Sequence, residues 1–125
     1  MHVRDVMKKD IIVVKAHESV QHISKVLTEK NISNIPVIDQ KGKLVGVVSE
    51  QDIIKAMGSD KFMKLSAKDI MTKNVLSVKE NDPLEYVSKI FMEKPYRRLP
   101  VTRNKKVVGV ITREEIIQSF MSEYY

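Results

Sequence analysis

Two segments of this sequence place a hydroxyl and a carboxylate three residues apart behind a glycine and two apolar residues. The first is Gly46-Val47-Val48-Ser49-Glu50-Gln51-Asp52, and the second is Gly109-Val110-Ile111-Thr112-Arg113-Glu114-Glu115. At a helix start, Ser-x-x-Asp and Thr-x-x-Glu form capping boxes in which hydroxyl and carboxylate satisfy free backbone N–H groups. Such a residue stabilises its helix by about 1 kcal/mol, and local sequence alone favours that reading. The same geometry has a second use. A helix amino terminus offers unpaired N–H donors and partial positive charge, which attract phosphate. A hydroxyl there can donate to a phosphate oxygen. The carboxylate one turn further in repels phosphate but suits the paired hydroxyls of a ribose, so the combination fits a nucleoside phosphate better than a bare anion.

Other chemistry finds little footing. The absence of cysteine excludes a disulfide scaffold, a thiolate nucleophile and a Cys-ligated metal. His2, His17 and His22 lack metal-like spacing with acids, so no metal site is expected. The four glycines form no P-loop, dinucleotide fingerprint or nucleophile elbow. With neither a nucleophile and base nor a metal set, no catalytic residues are expected and the chain does not read as an enzyme. Apolar runs such as Ile11-Ile12-Val13-Val14 fall far short of the ~20 residues of a membrane span. Met1 to Asp5 lack the apolar core of a signal peptide, and a cytoplasmic protein without a membrane partner is expected.

Net charge is +6, from 22 basic and 16 acidic side chains, shared evenly between the two halves. A solvated lysine surface accounts for it. A basic nucleic-acid-binding or protein-interaction module is the alternative, with salt-sensitive, sequence-tolerant binding in the nucleic-acid case. Aromatic content of 6% and the lack of a recognition element count against the nucleic-acid version.

The elements that must position the two boxes come from an internal repeat. At a spacing of 64, Asp5-Val6-Met7 faces Asp69-Ile70-Met71, and Pro36-Val37 faces Pro100-Val101. One residue is lost near Gly42, after which Val45-Gly46-Val47 meets Val108-Gly109-Val110. Each copy reads as strand, helix, strand, strand, helix. A β-branched run opens it, Ile11–Val14 or Val75–Val78. An amphipathic helix follows, with Val20, Ile23, Val26 and Leu27 matched by Leu84, Val87, Ile90 and Phe91. For the second of these, Asp82 is the expected cap, Pro83 suits the first turn, and Lys94-Pro95 marks the end. Strands Ile35–Ile38 with Leu44–Val48, and Leu99–Thr102 with Val107–Ile111, flank polar hairpin turns. The closing helices are expected to bury Ile53, Ile54 and Met57, or Ile116, Ile117 and Phe120.

The expected organisation is a first repeat over 1–58, a linker over 59–66 and a second repeat over 67–125, forming one α/β (α+β) module. One repeat of about 60 residues buries too little surface to be secure alone, so the copies should pack sheet to sheet about a pseudo-twofold axis. Phe62-Met63-Leu65 in the linker suits either a small apolar contact or an interface, and Tyr124-Tyr125 either frays or packs on a partner.

These features together resemble a tandem pair of CBS (cystathionine beta-synthase-type) motifs, the Bateman module, in a stand-alone form. The resemblance rests on Asp-Val-Met and Asp-Ile-Met near the repeat starts, on Ile35-Pro36-Val37 and Leu99-Pro100-Val101, and on the two Gly…Ser/Thr-x-x-acid segments. It implies a homodimer and clefts that bind AMP, ADP, ATP or S-adenosylmethionine, with no catalytic cofactor, so as to regulate an effector protein. By the family pattern, Asp52 takes the ribose and Ser49 the phosphate, with the purine near Lys73, Asn74 and Val75 and with Tyr96 and Arg97 close by. The pseudo-equivalent site uses Thr112 and Glu115, with the purine near Asp10, Ile11, Ile12 and Ile32-Ser33-Asn34 and with Arg98 facing phosphate. Glu115 departs from the family's usual aspartate, and its longer side chain would crowd the ribose. Arg97 and Arg98 fit a solvated edge or a phosphate contact, and the second reading implies a preference for phosphorylated ligands over neutral nucleosides.

Overall fold

A computed structural model describes residues 1–124, and the side chains of Glu123 and Tyr124 are not described. The expectation for Tyr124-Tyr125, which concerns the Tyr124 side chain and Tyr125, therefore lies outside what is described. The chain is mixed α/β with two three-stranded sheets, as expected.

The contacts divide it into a central unit, Ile12–Val75, and a terminal unit, Met1–Ile11 with Leu76–Tyr125. The central unit contains β1 (Val14–Lys15), α2 (Val20–Lys30), β2 (Asn34–Ile38), β3 (Leu44–Ser49), α3 (Glu50–Met57), a 3-10 turn (Phe62–Lys64) and α4 (Ala67–Ile70). The terminal unit contains α1 (Val3–Val6), β4 (Val78–Lys79), α5 (Leu84–Glu93), β5 (Arg98–Arg103), β6 (Lys106–Thr112) and α6 (Arg113–Tyr124).

Both sheets have the same plan. β1 runs parallel to β2, with Val14 opposite Val37, and β2 runs antiparallel to β3. β4, β5 and β6 repeat this with Val78 opposite Val101. A parallel pair needs a crossover, and α2 and α5 supply it. Their apolar stripes turn inward: Val20, Ile23 and Leu27 join Ile35, Val37 and Val48 in one core, while Val87, Ile90 and Phe91 join Leu99, Val101 and Ile111 in the other. The tight hairpin between β5 and β6 turns through Asn104 and Lys105, both at positive φ, the geometry that matches strand twist.

Each unit is closed by the opening segment of the other sequence repeat. In the terminal unit the Val3 amide donates to the Asp82 carbonyl and the Arg4 amide to the Glu80 carbonyl, both at 2.9 Å. In the central unit the Ala67 amide donates to Glu18 at 2.9 Å and the Lys68 amide to Ala16 at 3.0 Å. Further along each segment, Lys8 and Val110 exchange both backbone hydrogen bonds at 2.8 and 2.9 Å, and Thr72 and Val47 do the same at 2.9 and 3.0 Å. The repeats thus lend each other their first residues.

Several local expectations need correction. The runs Ile11–Val14 and Val75–Val78 are not four-residue strands. Pairing begins only at Val14 and Val78, because these runs are where the chain passes from one unit to the other. Asp82 does not cap α5. Its carboxylate accepts the Lys79 amide at 2.8 Å and closes the turn after β4, leaving Pro83 at the cap position. Ile54 and Met57 are 67% and 64% exposed, and Ile117 and Phe120 are 61% and 58% exposed. At 3.6 residues per turn the inward positions of α3 fall on Ile53 and Ala56, which turns Ile54 outward, while Met57 is the last residue of the helix. In the linker, Phe62 and Leu65 pack on the central core while Met63 stays exposed.

Candidate functional site

Both Ser/Thr-x-x-acid segments lie at the junction of a third strand and a closing helix. In the central unit Ser49 ends β3 opposite Asn34, and α3 begins at the next residue. The Asp52 amide donates to Ser49 Oγ at 3.2 Å, and Asp52 Oδ2 accepts the Ser49 amide at 2.9 Å and its hydroxyl at 3.0 Å. The capping box is therefore formed. Both residues remain half-buried, and the Glu50 amide donates to the Ser33 carbonyl at 2.9 Å. Thr72 and Val47 form an antiparallel bridge two residues before Ser49, and Lys73, Asn74 and Val75 follow Thr72 in the chain. Lys73 and Asn74 are exposed and Val75 is half-buried.

The terminal unit repeats the arrangement with different charges. Thr112 ends β6 opposite Arg98. Glu115 Oε1 accepts the Thr112 amide at 2.7 Å and its hydroxyl at 2.8 Å. Glu115 is buried, and its Oε2 has no hydrogen-bond partner among the described residues. The Lys8 ammonium faces that oxygen at 3.6 Å and stands 4.0 Å from Glu114 Oε2. Arg98 is half-buried. Burial lowers its guanidinium from the ordinary value, and the Glu115 carboxylate works in the opposite direction. Lys8 and Val110 form the corresponding antiparallel bridge, and Asp10 and Ile11 follow Lys8 in the chain. Tyr96 and Arg97 are exposed beside α6, where the Arg113 guanidinium bonds the Tyr96 carbonyl at 3.0 Å and the Arg113 amide bonds the Arg97 carbonyl. Ile12, Ile32, Ser33 and Asn34 are half-buried in the central unit.

The sequence motif alone is not diagnostic. Ser66 and Asp69 build the same box, with the Asp69 carboxylate accepting the Ser66 amide at 2.8 Å and its hydroxyl at 3.0 Å, at the start of the four-residue helix α4. What sets the boxes of α3 and α6 apart is the exchanged segment running beside the strand that precedes each. Sequence reasoning missed Lys8. The available signal was a break in the repeat, Met7-Lys8 against Met71-Thr72. Among the described residues no group of three or more His, Cys, Asp or Glu could hold a metal ion, and no helix is long and apolar enough to cross a membrane.

Comparison with known proteins follows the same division of the sequence. The model of the CBS domain matches residues 3–59 and again 67–122. The structure of CBSX2, a CBS-pair protein from Arabidopsis thaliana, is similar with a TM-score of 0.86 and 30% identity over 98% of this chain and 96% of that one. CBSX2 has also been crystallised in complex with AMP (TM-score 0.85, 30% identity, 99% and 98% covered). The CBS domain pair of protein MJ0100, in complex with 5′-methylthioadenosine and S-adenosyl-L-methionine, gives a TM-score of 0.78 at 31% identity over 96% of this chain and 99% of that one. L-aspartate semialdehyde sulfurtransferase from Methanocaldococcus jannaschii is 32% identical over 119 residues, covering 94% of this chain and 23% of that protein. The chain spans under a quarter of the length of that protein and of the two homoserine O-acetyltransferases it also matches (23% and 22%). With two matched copies that account for nearly all of its length, the chain belongs to the CBS domain family as a tandem pair.

Proposed function

We propose that the chain is a regulatory ligand-sensing module that binds an adenosine-containing nucleotide of the AMP, ADP, ATP or S-adenosylmethionine kind. The observation that carries this reading is the coupling, in each unit, of a hydroxyl-and-acid helix start to an exchanged segment held beside the same strand. In the central unit the sugar hydroxyls donate to Asp52, the anionic group lies at Ser49 and the amino end of α3, and the base lies along Lys73–Val75. In the terminal unit Glu115, Thr112 and Arg98 take the corresponding parts, with Asp10 and Ile11 beside the base. The structures crystallised with AMP and with 5′-methylthioadenosine and S-adenosyl-L-methionine support the reading, each being about 30% identical over nearly the whole of both chains.

The role is regulatory rather than catalytic. Ligand binding favours one arrangement of the module by its differential affinity for that arrangement, and a partner protein reads the change. A homodimer accompanies this reading. Each unit presents apolar side chains to solvent from its closing helix at matched repeat positions, Ile54 and Met57 on α3 and Ile117 and Phe120 on α6. A dimer contact on these helices would take such side chains out of water.

A thermal-shift panel of AMP, ADP, ATP, S-adenosylmethionine and NADH tests the ligand. A ligand selective for the folded state adds about 2.7 kcal/mol of stability at one hundred times its Kd. The expected result is a shift with the adenosyl ligands that is reduced in Asp52→Ala. No shift with any of them would sink the proposal.

A further inference from the structure

The roles assigned above leave Lys8 without a part. Glu115 is only 5% exposed, and its two oxygens are used unequally. Oε1 takes both Thr112 donors, at 2.7 and 2.8 Å, whereas the buried Oε2 takes no hydrogen bond from the described residues. A carboxylate oxygen buried without a donor is costly, and such groups in native proteins call for an explanation. The charge that faces it is the Lys8 ammonium at 3.6 Å, on a side chain that is 54% exposed. The Lys8 backbone is held in place by its paired hydrogen bonds to Val110, so the side chain is anchored over the start of α6. Arg98, half-buried on β5, adds a second cation to this corner. The central unit has Thr72 and Asn34 at the matched positions, with a cation at neither.

We propose, resting on the nucleotide reading above, that Lys8 is a specificity-determining residue of the terminal unit's site, transferring from Glu115 to the phosphate of a bound nucleotide. Oε2, closed off from solvent while Lys8 faces it, is the acceptor that a sugar diol takes once the ammonium moves aside. When the diol donates to it, the ammonium gives up that oxygen and keeps only the more distant Glu114 carboxylate, 4.0 Å away. At 3.6 Å Lys8 is in ion-pair range but beyond a good hydrogen bond, and its exposed stem is free to swing to a nearby anion. A phosphorylated ligand supplies that anion. A thioether ligand does not, and a sulfonium adds a like charge beside Lys8 and Arg98. The terminal unit therefore favours phosphorylated adenosyl ligands over uncharged or cationic ones, while the central unit discriminates less.

Calorimetry with AMP and 5′-methylthioadenosine tests this in the Asp52→Ala chain, which leaves the terminal site as the reporter. Both ligands carry the same base and the same 2′,3′-diol, so the ratio of their affinities cancels the diol's contribution and any general loosening of the fold. Lys8→Thr, which installs the residue found after Met71, should reduce the preference for AMP by roughly fivefold to tenfold, the range for a partly exposed charge-assisted contact. Lys8→Arg should keep most of the preference, and Glu115→Gln, which releases Lys8 without removing it, should maintain or raise it. An unchanged ratio in Lys8→Thr, or a fall in Glu115→Gln, overturns the role of Lys8 and leaves the nucleotide reading standing. Binding abolished by Asp52→Ala alone places the ligand in the central unit and also overturns it. Failure of both ligands to bind the unaltered chain overturns the nucleotide reading itself.

Discussion

The sulfur of Met71 occupies the space that a side chain on Gly46 would need: an ideal Cβ there would lie 2.5 Å from Met71 Sδ and 3.0 Å from the Thr72 carbonyl oxygen. Gly109 repeats the relationship, with Met7 Sδ at 2.7 Å and the Lys8 carbonyl at 2.8 Å. These glycines admit the exchanged segments, and each methionine lies against a strand that has no side chain in its way. A flexible thioether can move aside, but a carbonyl held in a ladder hydrogen bond cannot. Gly109→Ala should therefore cost more than Gly46→Ala, with both in the range of about 1–3 kcal/mol seen for overpacking. Urea denaturation of the two variants checks the order.

Asp52 and Asp69 occupy equivalent capping boxes, and this separates capping from binding. Replacing either with Ala should cost about 1 kcal/mol of stability. Only Asp52→Ala should reduce the thermal shift produced by an adenosyl ligand. Equal ligand responses in the two variants would reduce Asp52 to a cap.

Acid should weaken the terminal unit through Glu80. The hydrogen bonds from the Arg103 guanidinium hold its carboxyl below the ordinary value, and burial opposes them. A carboxyl with a folded-state pKa below its unfolded one contributes stability above the unfolded value. That contribution disappears as pH falls through the folded value. Asp5 and Asp69, lowered chiefly by backbone N–H groups of His2 and Ser66, act in the same direction. The melting temperature of the wild type should fall as pH drops below the ordinary carboxylate range, and less steeply in Glu80→Gln. Parallel curves would contradict the assignment.

Adjacent isoleucines on α3 should behave oppositely. Ile53 is 9% exposed and joins the core, so Ile53→Ala should destabilise by about 2–4 kcal/mol. Ile54 is 67% exposed, and Ile54→Ala should change the stability of the monomer by less than about 0.5 kcal/mol. Ile54→Asp should also shift the sedimentation of the protein toward monomer if α3 forms the dimer contact. Chemical denaturation and sedimentation velocity read the two effects separately.

The order of elements was legible because each copy carries its own periodicity. The stripe Val20, Ile23, Leu27 and the alternation Ile35, Val37 need no distant information, and both point to the observed cores. The pairing of Ser49 with Asp52 and of Thr112 with Glu115 was legible for the same reason, since a capping box is a local object. The inward face of α3 was not. In an eight-residue helix, Ile53 and Ile54 are both apolar, and the small Ala56 that marks the true stripe carries little hydrophobic signal. Two short helices, Val3–Val6 and Ala67–Ile70, also escaped notice, because four residues show no period. Which sheet Met7 and Met71 would cover is decided by contacts about a hundred residues away in the chain for Met7 and about twenty-five for Met71, and no local pattern encodes that choice. For Lys8 the repeat marks the position, as the lysine that replaces Thr72, but its partner Glu115 lies about a hundred residues away in the chain.

The exchange of opening segments also bears on how such a chain could be divided. Severed between residues 58 and 67, each fragment would lack the strip that covers its own sheet while carrying the strip its counterpart needs. Two such pieces should recombine when mixed. A single ancestral copy with this architecture would have had the same incentive to trade its leading arm with a twin, and fusing two copies turns that bargain into an intramolecular one.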